Sequence, residues 1–328
     1  MKKLPEITLL HIIGCTLILL CHYFQNAHIG SLGEIFLSGL SLFFVVSGYL
    51  AGIKENYDVK WTQRRFVRIL KPYYTVVLLA LLIYYLFAPQ ELNYKSTAYI
   101  LTCTQGINYL YWKFNDYQAM LGFGHFWYIT EMLFCIILTP LFGCIYSRAK
   151  LKKTSWYVSL GVLILIVQPI AILCGFQLSY VITYLIGFLF AKEHIKPTRK
   201  QLASIYVIFI LITMFRFAGM RMIDGSVLYD RYIALVSQAS LAVAIFYTVF
   251  YIGRVKTILI ETLATKRLTI FLSSITYEIY LIHYFFLRGP WPMENIFNSK
   301  ILGDIAVTVF SVITAYMVNR IINLRINR

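Results

Sequence analysis

Residues 40–74, LSLFFVVSGYLAGIKENYDVKWTQRRFVRILKPYY, decide how the rest of the chain is read. The stretch opens as an apolar membrane span with small residues inside it, Ser41, Ser47 and Gly48. It continues into a compact basic segment carrying Arg64, Arg65, Arg68 and Lys71, and after Pro72 it is expected to restart as another span. A cationic cluster clamped between two hydrophobic helices points to an anionic ligand at a membrane surface. Arg64 and Arg68 stand at i and i+4 with Arg65 beside them, and the guanidinium fork suits bidentate phosphate binding. Such a cluster also sets topology and touches anionic lipid.

The composition outside this stretch agrees. Hydrophobic residues make up 59% of the 328 residues and charged ones 13%, far from the balance of a soluble domain. The length accommodates about ten transmembrane helices. The reading is therefore an all-α polytopic membrane protein forming one domain over residues 1–328. Its spans fall near 7–25, 35–53, 73–88, 125–146, 155–174, 178–191, 202–219, 232–253, 268–287 and 301–322. The sixth is short enough to need protein around it or a thinned bilayer. Between the third and fourth spans, Thr97–Trp112 is expected as an interfacial or re-entrant helix. The first apolar run has no small-residue cleavage pattern after it and reads as an uncleaved span.

Net charge of +16 would imply nucleic acid in a soluble protein; here it follows from basic loops. With the N-terminus and Lys2 and Lys3 in the cytoplasm, every segment on that side is basic, and both termini lie inside. The six cysteines are scattered without a C-x-x-C pair, so they read as buried hydrophobes rather than metal ligands or a disulfide framework. No metal site is expected.

Ionisable groups inside spans are costly and mark candidate sites. His11 and His22 are eleven residues apart on the first span, which places them on one helical face about 16 Å apart along the axis. His125 opens the fourth span with Glu131 about 9 Å deeper, and His283 lies near the far end of the ninth. In the expected topology His22, His125 and His283 share the outer half of the membrane. Glu131 and Glu278 need a partner or a proton, and histidines are the nearest candidates.

Taken together, the His11-to-His22 spacing, LSLFFVVSGYL, RRFVRILKPYY, HFWYITEML and SSITYEIYLIHYF resemble the acyltransferase-3 family of integral membrane enzymes. Their order and spacing cover essentially the whole chain. The resemblance implies transfer of an acyl group, most often acetyl, from cytoplasmic acyl-CoA to a hydroxyl of a surface glycan or lipid-linked saccharide. It implies acyl-CoA as co-substrate with no permanently bound cofactor, and a plasma-membrane location, bacterial at the family level. On this reading Arg64, Arg65 and Arg68 hold the CoA phosphates and His22 is the general base. His125 and Glu131 support catalysis, while Ser47, Tyr280 and His283 orient the substrate. The family carries arginine where this chain has His11, so the charge at the acyl-CoA end becomes pH-dependent here. A competing reading is a proton-coupled transporter or flippase of a glycan precursor. The sequence shows no inverted repeat and no paired Gly/Pro-broken spans to support it.

Overall fold

Pro72 is where the sequence first misleads. A computed structural model describes residues 4–107, 120–148, 178–222 and 227–324, and in it helix α4 (Val59–Phe87) runs unbroken through Pro72. The basic segment and the third span are thus one helix, not a break and a restart. Asp58 caps its start by accepting from the Trp61 N–H at 2.6 Å. A proline loosens the carbonyls three and four residues before it. One of these, Ile69, accepts from the Tyr277 hydroxyl at 3.1 Å, the re-satisfaction from a neighbouring helix that membrane spans use.

The other described helices are α1 (Pro5–Asn26), α2 (Gly30–Phe36), α3 (Ser38–Gly52), α5 (Tyr94–Leu101), α6 (Trp127–Arg148), α7 (Leu178–Lys192), α8 (Arg199–Met222), α9 (Val227–Val255), α10 (Thr257–Thr265), α11 (Arg267–Arg288), α12 (Met293–Phe297) and α13 (Lys300–Leu324). Among the described residues eight helices are long and apolar enough to cross a membrane, with Leu32–Gly52 acting as one of them. They coincide with eight of the expected spans. The short sixth span is α7. The expected fifth span, 155–174, and the turn after it lie outside the described residues. Of the expected helix Thr97–Trp112, only Thr97–Leu101 lies in a helix; 108–112 are outside the described residues.

The chain divides into two compact units. The first comprises Met1–Tyr57, Leu138–Leu173 and Gln177–Ser273. At its centre α7 lies backbone to backbone against α3. A Cβ on Gly48 would fall 1.8 Å from the Tyr184 carbonyl oxygen, and one on Gly187 would fall 1.9 Å from that of Val45. Small residues at both surfaces are what close helix approach in a membrane requires. This contact also explains how so short a span is tolerated: Tyr180, Tyr184 and Phe188 are fully buried in protein, and the Tyr184 hydroxyl bonds Thr139 at 2.7 Å. Ile7 and Leu10 of α1, Val45 and Val46 of α3, Phe190 of α7 and Phe246 of α9 complete an apolar core. The loop after α3 is pinned by Tyr57, whose hydroxyl lies within bonding distance of the Ala51 and Lys54 carbonyls. Burial pushes that hydroxyl's pKa up, so it stays a donor.

The second unit comprises Asp58–Ile137, Cys174–Phe176 and Ser274–Arg328. Tyrosines tie it together. Tyr73 and Tyr74 of α4 donate to the Ile100 and Leu101 carbonyls at the end of α5, at 2.6 and 2.8 Å. Further along α4, Tyr84 donates to the Leu121 carbonyl at 2.8 Å. Phe123 meets Phe285 edge-on with centroids 4.7 Å apart. Gly122 between them has φ +75°, where a Cβ would press on Phe285 and the Tyr84 hydroxyl, so glycine is required there.

Candidate functional site

Two polar centres stand out, one in each unit. In the first unit His22 lies half-buried near the C-terminal end of α1. Its Nδ1 is 2.9 Å from Gln25 Oε1, one helical turn on. A carboxamide oxygen only accepts, so Nδ1 donates to it, and in the neutral ring Nε2 is then the basic nitrogen. That is the tautomer a general base needs, with the ring oriented by a second side chain. Sequence reasoning missed Gln25, although i and i+3 neighbours on a helix are legible from spacing alone.

His11 sits half-buried two-thirds of the way back toward the start of α1, its ring tilted against Phe43 with centroids 6.2 Å apart. This contact belongs to a consistent antiparallel register. Gly39 packs on Gly14 and Ile18, and Gly33 packs on Cys21 and Gln25. The same register brings Ser47 level with Thr8, about 21 Å from His22 along the axis at 1.5 Å per residue. Ser47 is one turn from Phe43 on the same face, so it belongs with His11 and is not brought to His22.

In the second unit His125 occupies the short turn Gly124–Phe126 ahead of α6, and His283 lies on α11. Both are buried, with ring centroids 5.3 Å apart. His283 Nδ1 lies 2.8 Å from the Tyr280 carbonyl, so that nitrogen carries the proton and Nε2 is the basic one. Tyr280 spends its own hydroxyl proton on the His125 carbonyl at 2.6 Å. It fixes the turn that carries His125. Tyr284, which the sequence did not single out, packs at a tilt against His125 with ring centroids 5.0 Å apart. Glu131 is buried on α6 one turn beyond Tyr128, whose ring packs on Tyr280 at 5.2 Å. Glu278 takes a hydrogen bond from Asn319 at 2.9 Å rather than from a histidine. Removing the Tyr280 hydroxyl should therefore act through stability. Tyr280→Phe leaves the His125 carbonyl buried without that donor and is expected to cost about 1–2 kcal/mol. A lowered melting temperature in detergent is the check.

The cationic face of α4 also belongs to the second unit. Arg64 and Arg68 are exposed one turn apart, while Arg65 lies over the Trp61 ring at 5.5 Å. Lys71 is occupied differently: its ammonium donates to the Ile322 carbonyl at 2.9 Å and fastens α4 to α13. Among the described residues no group of three His, Cys, Asp or Glu side chains is placed to hold a metal ion.

An all-helical polytopic chain with oriented, half-buried histidines in its spans and an arginine face on one helix is the architecture of a membrane protein with polar chemistry inside it. The chain belongs to the acyltransferase-3 family: the family model, described as an acyltransferase domain, matches residues 4–320. Membership supports acyl transfer as the general activity. No curated protein and no solved structure matches the chain.

Proposed function

We propose that this protein moves an acyl group, acetyl in the simplest case, from cytoplasmic acyl-CoA to a hydroxyl of a cell-surface glycan or its lipid-linked precursor. The observation that carries the reading is the His22–Gln25 pair at 2.9 Å, which orients the His22 ring in a membrane span of an acyltransferase-family chain.

His22 Nε2 takes the proton of the acceptor hydroxyl as its oxygen attacks the thioester carbonyl. The tetrahedral oxyanion collapses, the carbon–sulfur bond breaks, and the departing thiolate recovers the proton from the imidazolium. The products are an O-acyl ester and free CoA. Arg64 and Arg68, exposed and able to form bidentate pairs, take CoA phosphates. Arg65, resting on Trp61, adds positive potential beside them. His11, with Ser47 near its level, lies toward the cytoplasmic end of α1 in the expected topology. In the second unit His125 and His283 pack ring against ring, and we assign them, with Glu131, a supporting role in catalysis.

The test uses membranes containing the protein, radiolabelled acetyl-CoA and crude surface glycan. Label is expected in the glycan and is expected to be released by mild alkali, as an ester is. Label resistant to alkali, or absent, contradicts O-acyl transfer. Arg64→Ala with Arg68→Ala is expected to raise the KM for acetyl-CoA roughly 10- to 100-fold by removing two charge-assisted phosphate contacts, with little change in kcat. An unchanged KM assigns these arginines to topology alone.

A further inference from the structure

The first unit contains an ion pair, with a buried arginine and a partly exposed carboxylate, that the chemistry above leaves unused. The side chains of Arg216 on α8 and Glu34 on α2 are in direct contact, Arg216 1% and Glu34 36% exposed. Helix α8 otherwise turns an apolar surface outward, including Val207, Leu211, Met214 and Phe215. Arg216 is drawn the other way. Thr213, one turn earlier on the same face, bonds Ser237 of α9 at 2.7 Å and fixes which side of α8 looks into the unit. An arginine inside a span is expensive, and a carboxylate against it offsets that cost.

The position of Glu34 gives the pair a use. A Cβ on the preceding residue, Gly33, would lie 2.8 Å from Gln25 Cγ and 2.9 Å from the Cys21 carbonyl oxygen. Gly33 therefore seats α2 on the turn of α1 that carries His22 and Gln25. Glu34 stands at the depth of His22 on the adjoining helix. Its carboxylate is only partly covered, so lone pairs not engaged by Arg216 remain available to hydroxyl donors. We propose that Glu34, held by Arg216, binds the acceptor by accepting hydrogen bonds from sugar hydroxyls; this rests on the reading of His22 as the base. The pair is neutral as a unit. Its guanidinium is already matched, so the subsite takes an uncharged polyol and disfavours a uronate or a phosphorylated sugar. No covalent bond to Glu34 is made or broken.

The experiment uses the full chain purified in detergent and saturation-transfer NMR with two probes, methyl β-D-glucopyranoside and methyl β-D-glucopyranosiduronate. Glu34→Gln alone would leave a buried arginine charge unmatched, so the double variant Glu34→Gln/Arg216→Gln is measured beside it, with Glu34→Asp as the charge-conserving variant. The wild type is expected to bind the neutral glycoside about 10-fold more tightly than the uronate. The double variant is expected to lose about 10-fold in glycoside affinity, the size of one charge-assisted hydrogen bond, while keeping its acetyl-CoA thermal shift. Glu34→Asp is expected to weaken the glycoside as well, and it decides the matter if the double variant does not fold. Unchanged glycoside binding in the variants, or a preference for the uronate, overturns the proposal. If the wild type binds acetyl-CoA but neither glycoside, this inference fails and the donor half of the acyl-transfer reading stands. If it binds neither acetyl-CoA nor glycoside, both fail.

Discussion

His22→Ala is expected to lower glycan-stimulated CoA release by on the order of 1000-fold, within the range of a lost general base, while acetyl-CoA still binds. The expectation comes from the ring's setting. Gln25 holds the Nδ1–H at 2.9 Å, so the imidazole is oriented and its second nitrogen is basic. A sugar hydroxyl is a weak nucleophile at neutral pH, and the two cysteines on the same helix as His22, Cys15 and Cys21, are buried. Gln25→Ala keeps the base but releases its orientation, and a smaller loss of about 10-fold follows. Thiol release from purified protein, read against a thermal shift with acetyl-CoA, separates the two effects. Full activity in His22→Ala would move the base to the His125–His283 centre.

The second large effect is structural. Gly48→Val is expected to prevent assembly of the first unit, because even a Cβ there would lie 1.8 Å from the Tyr184 carbonyl oxygen. That oxygen is main chain in the middle of α7 and cannot swing aside, so α3 and α7 must separate. Overpacking typically costs about 1–3 kcal/mol, and a clash with main chain that cannot yield belongs at or above the top of that range. Gly187→Val meets the Val45 carbonyl in the same way and should behave alike. Ser47→Ala, next in sequence but only half-buried, serves as the control, with a loss under about 1 kcal/mol. Size-exclusion chromatography and thermal unfolding in detergent give the comparison. A monodisperse Gly48→Val protein with an unshifted melting temperature would contradict the packing described for the two helices.

Most of the spans were legible because a run of about 20 apolar residues has few other uses. The start of α4 was not. Lys60–Lys71 looks like a loop by charge, and Pro72 looks like a boundary. The Asp58 cap and the Tyr277 hydroxyl on Ile69, which let one helix run through, are visible only with neighbours in place. The candidate site divides along the same line. His22, His125 and His283 were grouped by depth; the rings of His125 and His283 do meet, while His22 belongs to the other unit. Gln25 was readable from its spacing to His22. Ser47 illustrates the opposite case, since motif order says nothing about antiparallel register, which sets it near the level of His11. Glu34 and Arg216 are far apart in sequence. An arginine inside an apolar run is a signal, but only folding names its partner.

The central claim is acyl transfer from acyl-CoA by the chain itself. Its most direct test is detergent-purified protein with acetyl-CoA, following free CoA thiol with and without crude surface glycan. Release is expected to rise with glycan and to disappear in His22→Ala. A wild type that neither binds acetyl-CoA nor releases CoA in response to glycan would contradict it.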